Sequence, residues 1–198
     1  MNTNINSCER CGKSAPSHVL THFAVESGTL LLCIQCFNAK IARRSGIEAF
    51  DNTELEPIAI TDADGISHTF HFQTRLLGPM VTLDAFELRD GTPGGYQFRL
   101  IGDPGEDRYT QLAHMVQKIR DALASKYLKD GEFGLQIRDM NVQGQIEADL
   151  SEESELFGNR APMLVIDGRE VSWEEFGRML MTFEGFEFKL QIVDPGDA

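Results

Sequence analysis

The sequence predicts an α+β protein, in which a small four-cysteine finger precedes an antiparallel-sheet domain with two helices. All four cysteines lie within the first 36 of 198 residues, in two pairs of equal spacing. Alternating apolar and polar residues, interrupted by turns that contain Gly and Asp, recur from residue 58 onward. Two further stretches, near 107–129 and 173–183, carry apolar residues at helical spacing. We therefore divide the chain into a finger at 1–50 and an acidic α+β domain at 51–198.

The composition is typical of a globular protein without membrane-spanning helices. Hydrophobic residues make up 41% of the chain and charged residues 25%. No apolar run approaches the ~20 residues that a membrane-spanning helix needs. The N-terminal stretch MNTNINSCER lacks the basic start and the apolar run of a secretory signal. We therefore expect a cytoplasmic location.

Charge is distributed unevenly along the chain. The formal net charge is −13, and residues 1–50 hold five basic and three acidic side chains. That segment carries +2, whereas residues 51–198, with 13 basic and 28 acidic side chains, carry −15. Because clustered Lys and Arg bind a phosphate backbone, the acidic body disfavours nucleic acid as a partner. If nucleic acid is bound at all, residues 1–50 must bind it.

The cysteines follow the pattern C-x2-C, 21 residues, C-x2-C. Zinc binds four thiolates tetrahedrally at ~2.3 Å, and two short knuckles can each supply two of them. In a chain without a secretory signal, two such pairs favour a structural zinc ion over disulfides. A pair of redox dithiols is disfavoured, because thioredoxin-type motifs occur singly within a βαβ pattern that this sequence does not predict. The predicted metal ligands are Cys8, Cys11, Cys33 and Cys36.

The residues between and after the cysteine pairs predict a treble-clef finger. HVLTHFAV alternates like a strand, GTLLLC returns as a second strand, and ESG forms the turn between them. After Cys33, IQCFNAKIARRSG has apolar residues at helical spacing, and Gly46 is a suitable C-cap. A helix that begins at the second pair places its positive dipole end near Cys36, which favours a thiolate there.

The stretch CERCGKSAPSHVLTHFAVESGTLLLCIQCF resembles the zinc module at the start of McsA-type proteins, the activators of bacterial protein arginine kinases. The shared features are C-x2-C-G, a short Ala/Pro stretch, a His-containing strand, a Gly turn and a final Leu-Cys-x2-Cys. The resemblance covers residues 8–40 and implies that the same four cysteines bind zinc. It does not imply kinase activation, because the rest of the chain has neither a second Cys-rich module nor a basic coiled coil.

The predicted finger helix carries three cations, Lys40, Arg43 and Arg44. Four thiolates and one Zn²⁺ sum to −2, which cancels the +2 of residues 1–50 and leaves a neutral module. A DNA-reading finger keeps excess positive charge on its recognition face, so this balance disfavours DNA binding. The three cations could contact an acidic partner or screen the thiolates, but a solvated helix face is the simpler interpretation.

The paired histidines are interpreted as structural residues rather than metal ligands. His18 and His22 would share one face of the first finger strand, but four cysteines already complete the predicted site. His68 and His71 fall on opposite faces of a later predicted strand and cannot easily share a metal ion.

Residues 51–131 predict a strand meander followed by a long helix. The polar stretch at 51–57 is interpreted as a linker, and 62–65 as the turn of the first hairpin. Two more strands, joined by a flexible connection with the sequence GTPGG, complete a meander of about four strands. The helix of ~22 residues is expected to pack on this meander, with dimer pairing as the alternative. Its apolar stripe consists of Tyr109, Leu112, Val116, Ile119, Leu123 and Tyr127.

The C-terminal part predicts an acidic loop at 149–162, a hairpin, a helix and a final strand. Asp167-Gly168 favours a type I′ hairpin turn, and Ser172 and Glu175 form a capping box that begins the helix. This unit resembles the C-terminal segment of uncharacterised bacterial proteins and implies no activity. The helix is predicted to bury Phe176, Met179, Leu180 and Phe183, and the strand to align Phe186, Phe188, Leu190 and Ile192.

The functional hypothesis is a zinc-binding, non-catalytic regulatory or protein-interaction module, with another protein as the expected partner and self-association left open. Gly-x-Ser-x-Gly and His-Glu-x-x-His do not occur, and no cysteine is left over for nucleophilic catalysis. Distant residues can still meet in a fold, so an enzyme with its site in the acidic domain is the alternative. A nucleic-acid-binding regulator that acts through the finger is the weaker alternative.

Overall fold

The computed structural model describes residues 5–26, 28–48, 50–132, 134–148 and 162–194. Within these residues it contains three α-helices and antiparallel strand pairs, which confirms the predicted α+β class. The acidic loop predicted at 149–162 lies outside the described residues except for Pro162. No helix in the described parts of the chain combines the length and the apolar character needed to cross a membrane.

The chain divides into two compact units. The first comprises residues 1–60, 67–120 and 193–198, and the second comprises residues 61–66 and 121–192. These units are defined by contacts within the folded chain. The sequence boundary after residue 50 stays a prediction.

The finger occupies the N-terminal part of the first unit. Its hairpin and helix are confirmed, and Gly46 ends the helix with a φ of 66°. His18 does not lie on the predicted strand, because Ser17–Val19 form a 3₁₀ turn that follows Pro16. Its ring packs edge-on against Phe86, with the centroids 6.0 Å apart. The finger elements are β1 (Ile5–Ser7), β2 (Ser14–Pro16), β3 (Leu20–Val25), β4 (Gly28–Cys33) and α1 (Ile34–Ser45).

A four-stranded antiparallel meander follows in the order β5-β6-β7-β8, which confirms the predicted meander. Its strands are β5 (Ile58–Thr61), β6 (Ser67–Leu77), β7 (Met80–Arg89) and β8 (Thr92–Gly102). The flexible connection predicted for GTPGG is wrong. Asp90 and Gly91 form a tight turn with φ values of 53° and 81°, and Thr92 already begins β8. The connection is therefore a two-residue turn at Asp90-Gly91, and the other residues of GTPGG belong to β8.

Helix α1 of the finger contacts β6 through apolar packing of Ala42 on Leu76 and through the polar side chain of Asn38, which is 1% exposed. Its Oδ1 accepts a hydrogen bond from the backbone N–H of Leu76 at 2.9 Å. Its Nδ2 donates to the carbonyl of Thr74 at 2.9 Å and to Oδ1 of Asn52 at 3.0 Å. Asn52 in turn donates to the carbonyl of Gln35 at 2.9 Å. The stretch interpreted as a linker is therefore held against the finger helix.

Helix α2 (Arg108–Leu123) is shorter than predicted, and its buried face matches the predicted stripe at Ile119 and Leu123. Tyr109, placed on the apolar stripe by the sequence, is 73% exposed. In the N-terminal half the buried positions lie one residue earlier than predicted, and the buried guanidinium of Arg108 contacts Asp51 and the carbonyl of Thr53. The buried positions of α2 are Arg108, Gln111, Met115, Ile119 and Leu123.

The second unit contains a two-stranded hairpin, a three-stranded sheet and a short helix. The strands are β9 (Leu128–Gly131), β10 (Gly134–Ile137), β11 (Gln145–Ala148), β12 (Pro162–Ile166) and β13 (Arg169–Ser172). Helix α3 (Trp173–Leu180) follows and continues into a 3₁₀ turn at Met181–Phe183. The core of this unit is formed by Leu128, Ile137, Ile166, Val171 and Met179. The end of the predicted long helix is therefore wrong, because Leu128 belongs to this core and lies on a strand.

The hairpin turn predicted at Asp167-Gly168 is confirmed. Asp167 and Gly168 have φ values of 52° and 70°, as a type I′ turn requires. The Asp167 carboxylate also accepts the backbone N–H groups of Tyr127 and Leu128 at 2.8 and 2.7 Å. Leu180, which was predicted to be buried, is 44% exposed.

Ser172 is the N-cap of α3, and its Oγ accepts the backbone N–H of Glu175 at 3.1 Å, which is the serine half of the predicted capping box. Ser172→Ala is expected to lower the free energy of unfolding by about 1 kcal/mol, because this N–H loses its acceptor. Ser172→Asp is the control and is expected to retain most of the stability, because aspartate caps helices about as well as serine. Urea unfolding followed by circular dichroism measures both. An equal loss in the two variants would contradict the capping role.

The predicted final strand is wrong for the single chain. Residues 186–194 adopt no regular secondary structure and pair with none of the described strands. The four side chains predicted to share one strand face are instead exposed: Phe186, Phe188, Leu190 and Ile192.

Candidate metal centre

The four cysteines lie close together at one end of the finger. Their Sγ atoms all lie within 4.8 Å of one another. The Sγ atoms of Cys11 and Cys33 are 3.8 Å apart. Four sulfurs placed tetrahedrally around one ion at ~2.3 Å would be separated by ~3.8 Å, so this spacing suits a single ion. The cluster could therefore bind one metal ion.

Different elements position the two pairs. The first pair lies on a knuckle between β1 and β2, where Cys8 donates its N–H to Lys13 O and accepts the N–H of Gly12. Gly12 has a φ of 75°, which residues with a side chain rarely adopt, so it permits the tight turn. In the second pair, Cys33 ends β4 and is the N-cap of α1, while Cys36 lies in the first turn of that helix. The hairpin and the helix thus bring two pairs 21 residues apart to one point.

The cluster is partly sheltered from solvent. Cys8 is 1% exposed and Cys33 is 5% exposed, whereas Cys36 is half-buried and Cys11 is exposed. Both buried cysteines belong to the small apolar core of the finger, which also contains Ala15, Leu20, Phe23, Leu32 and Phe37. The thiols are therefore part of the core that they help to hold together.

The surroundings shift the pKa values of three of the thiols, and not all in the same direction. Burial alone would raise the pKa of Cys8, but hydrogen bonds from the backbone N–H groups of Cys33, Cys11 and Arg10 outweigh it and lower this pKa to about 6. Burial raises the pKa of Cys33, and burial together with the neighbouring thiols raises that of Cys36 to about 12. Without a cation the cluster therefore resists full ionisation, and metal binding would have to displace protons.

The histidines take no part in this cluster. His18 contacts the ring of Phe86 in the sheet. His68 lies on β6, where its Nδ1 is 2.9 Å from Oε1 of Glu87. Both observations agree with the structural interpretation of the histidines.

A cavity of about 330 Å³ lies on the finger beside the first cysteine pair. We call it the basic groove, and it is lined by Glu9, Arg10, Leu30, Leu32, Lys40 and Arg43. Arg10 also donates from Nη1 to the carbonyl of Cys36 at 3.3 Å. Three cations outnumber the one acid of this lining, Glu9, so the groove can receive a carboxylate next to an apolar side chain. This combination is not obvious from the sequence, because Arg10 and Leu30 reach the helix cations only through the fold of the finger.

Arg44, the third cation predicted on the helix, is not part of the groove lining. Its guanidinium lies over the ring of Phe23, 4.6 Å from the centroid. The Lys40 ammonium lies over the same ring, also at 4.6 Å. Lys40 therefore both lines the groove and contacts the core aromatic, whereas Arg44 does only the latter.

Three family models match successive parts of the chain, and each is described as a domain of unknown function. DUF7685 matches residues 7–48, DUF7686 matches residues 51–124, and DUF7713 matches residues 127–197. None of the three descriptions names a McsA-type module. No curated protein and no solved structure matches the chain. The chain is thus similar to three successive domains whose descriptions name no activity and no partner.

Proposed function

We propose that this chain is a non-catalytic protein-interaction module, in which Zn²⁺ bound by Cys8, Cys11, Cys33 and Cys36 holds the finger in its folded form. The converging Sγ atoms support this proposal. Tetrahedral four-sulfur sites take zinc or an iron–sulfur centre, and two C-x2-C pairs at this separation are typical of zinc. Four protein ligands leave no coordination position for a substrate, so the metal has a structural role.

The basic groove is the observation that supports protein binding most directly. The lining contains three cations, Arg10, Lys40 and Arg43. The chain as a whole has a net charge of −13, so this local excess of positive charge is unusual for the protein. Leu30 and Leu32 supply the apolar part of the lining. We propose that the groove binds an acidic segment of another protein that also carries an apolar side chain. Nucleic acid stays the weaker alternative, because three clustered cations are few for a phosphate backbone.

The test is a binding titration with fluorescein-labelled peptides. One probe alternates Asp or Glu with Leu, and its control has Asn or Gln in place of every acid. Lys40→Glu and Arg43→Glu are each expected to weaken binding of the acidic probe about tenfold, since each replaces an attractive charge by a repulsive one. Arg44→Glu is the matched control, because it makes the same charge change on the same helix and removes the same type of contact with Phe23.

The expected result is a preference for the acidic probe that Lys40→Glu reduces and Arg44→Glu leaves nearly unchanged. Equal binding of the acidic and the neutral probe would contradict the proposal. So would tighter binding of a DNA duplex than of the acidic peptide at the same salt concentration, which would favour the nucleic-acid alternative.

A further inference from the structure

The segment 186–193 places a row of apolar side chains in water. Phe186 is 65% exposed, Phe188 89%, Leu190 72% and Ile192 71%. These residues alternate with Glu187, Lys189 and Gln191, which is the pattern of a strand with one apolar face. Monomeric soluble proteins rarely leave such a contiguous apolar stripe uncovered, and exposed stripes mark interaction surfaces. The segment therefore has the sequence of a strand but no neighbouring strand among the described residues of its own chain.

The polar face of the segment is self-complementary. It carries one acid, Glu187, and one base, Lys189, and has no other charge. In an antiparallel pair of identical segments, residues directly opposite each other lie on the same face. If Phe188 of one copy faces Phe188 of the other, Glu187 faces Lys189 twice, once on each side of the two-fold axis. In the same register Phe186 faces Leu190.

Other registers lack this match. A centre at Lys189 places Lys189 opposite itself, and a centre at Glu187 places Glu187 opposite itself, so like charges meet. A centre at Leu190 leaves both charges without an opposite charge. A shift by a single residue sets apolar positions against polar ones and destroys the apolar face. Only the register centred on Phe188 combines one apolar face with two ion pairs.

We propose that residues 186–190 pair antiparallel with the same residues of a second copy of this chain, with Phe188 at the two-fold axis. A closed two-fold contact of this kind uses the same surface on both copies. Leu180 and Met181, which precede the segment by a few residues, are also exposed. The segment is electrically neutral within a chain of net charge −13, so local repulsion does not oppose the pairing. This inference uses no part of the basic groove and does not depend on the proposed function of the finger.

A charge-swap experiment tests both the pairing and its register by sedimentation equilibrium. Wild-type protein is expected to dimerise. Lys189→Glu and Glu187→Lys each turn two ion pairs into two repulsive pairs and are expected to raise the dimer dissociation constant about tenfold or more. The double variant Glu187→Lys with Lys189→Glu restores both pairs in reversed order and is expected to return the dissociation constant close to the wild-type value.

Two further variants serve as controls. Lys129→Glu changes the net charge as Lys189→Glu does, but on the exposed face of β9, and is expected to leave the dimer unchanged. Phe188→Asp removes the central contact and is expected to give a monomer that keeps the fold of the single chain, because this side chain is 89% exposed. A monomeric wild type, or a double variant that fails to recover dimerisation, overturns the proposal.

Discussion

Replacement of Cys33 by serine is expected to unfold residues 8–45. Cys33 is 5% exposed and belongs to the finger core, which is too small to fold on burial of apolar surface alone. Zinc binding by such sites contributes apparent free energies of about 10–16 kcal/mol at neutral pH, and this energy is folding energy for the finger. With three thiolates the site would lose most of that contribution. Two-dimensional amide NMR and zinc analysis of the purified variant measure the effect.

Ser45→Ala is the control for Cys33→Ser, because Ser45 is exposed in the last turn of α1 and away from the cysteines. It is expected to keep stoichiometric zinc and a dispersed amide spectrum. A Cys33→Ser protein with the same zinc content and the same finger resonances as wild type would contradict the proposed role of the site.

Asn38→Leu is expected to lower the free energy of unfolding by about 2–4 kcal/mol, because two backbone groups in a buried contact would lose their partners. The backbone N–H of Leu76 would lose its acceptor, and the carbonyl of Thr74 would lose its donor. Leucine has the same number and branching of side-chain heavy atoms and is not smaller, so the loss comes from unpaired polar groups rather than from a cavity. Urea unfolding of the zinc-loaded protein measures the change.

Ala39→Ser is the control for this variant. It changes the next residue of the same helix, which is exposed, and is expected to alter stability by less than about 0.5 kcal/mol. A loss in Asn38→Leu no greater than that of the control would show that the three hydrogen bonds of Asn38 do not stabilise the contact between α1 and β6.

The elements that the sequence predicted correctly are those set by neighbouring residues. Gly46 ends α1 because a left-handed residue is needed there, and Asp167-Gly168 forms a tight hairpin because both residues tolerate positive φ. Ser172 caps α3 by accepting the backbone N–H of Glu175, three residues later in the sequence. The cysteine cluster joins two pairs 21 residues apart, but their equal spacings are sufficient to predict that the thiols converge.

The elements that the sequence predicted wrongly depend on distant partners. The buried face of α2 is set partly by Arg108, whose guanidinium finds Asp51 and Thr53 more than 50 residues earlier. The segment after Gly185 has the alternation of a strand, but alternation does not specify which strand pairs with it. Arg10 joins the basic groove through contacts with α1 that no local pattern reports.

Metal analysis of the wild-type protein combined with chelation tests the zinc-held finger most directly. The purified protein is expected to contain one zinc ion per chain. A strong chelator is expected to remove this ion, to collapse the amide resonances of residues 8–45 and to leave those of the three-stranded sheet in place, and added zinc is expected to restore the spectrum. Protein that lacks stoichiometric zinc, or whose finger resonances stay unchanged in the chelator, would contradict the account.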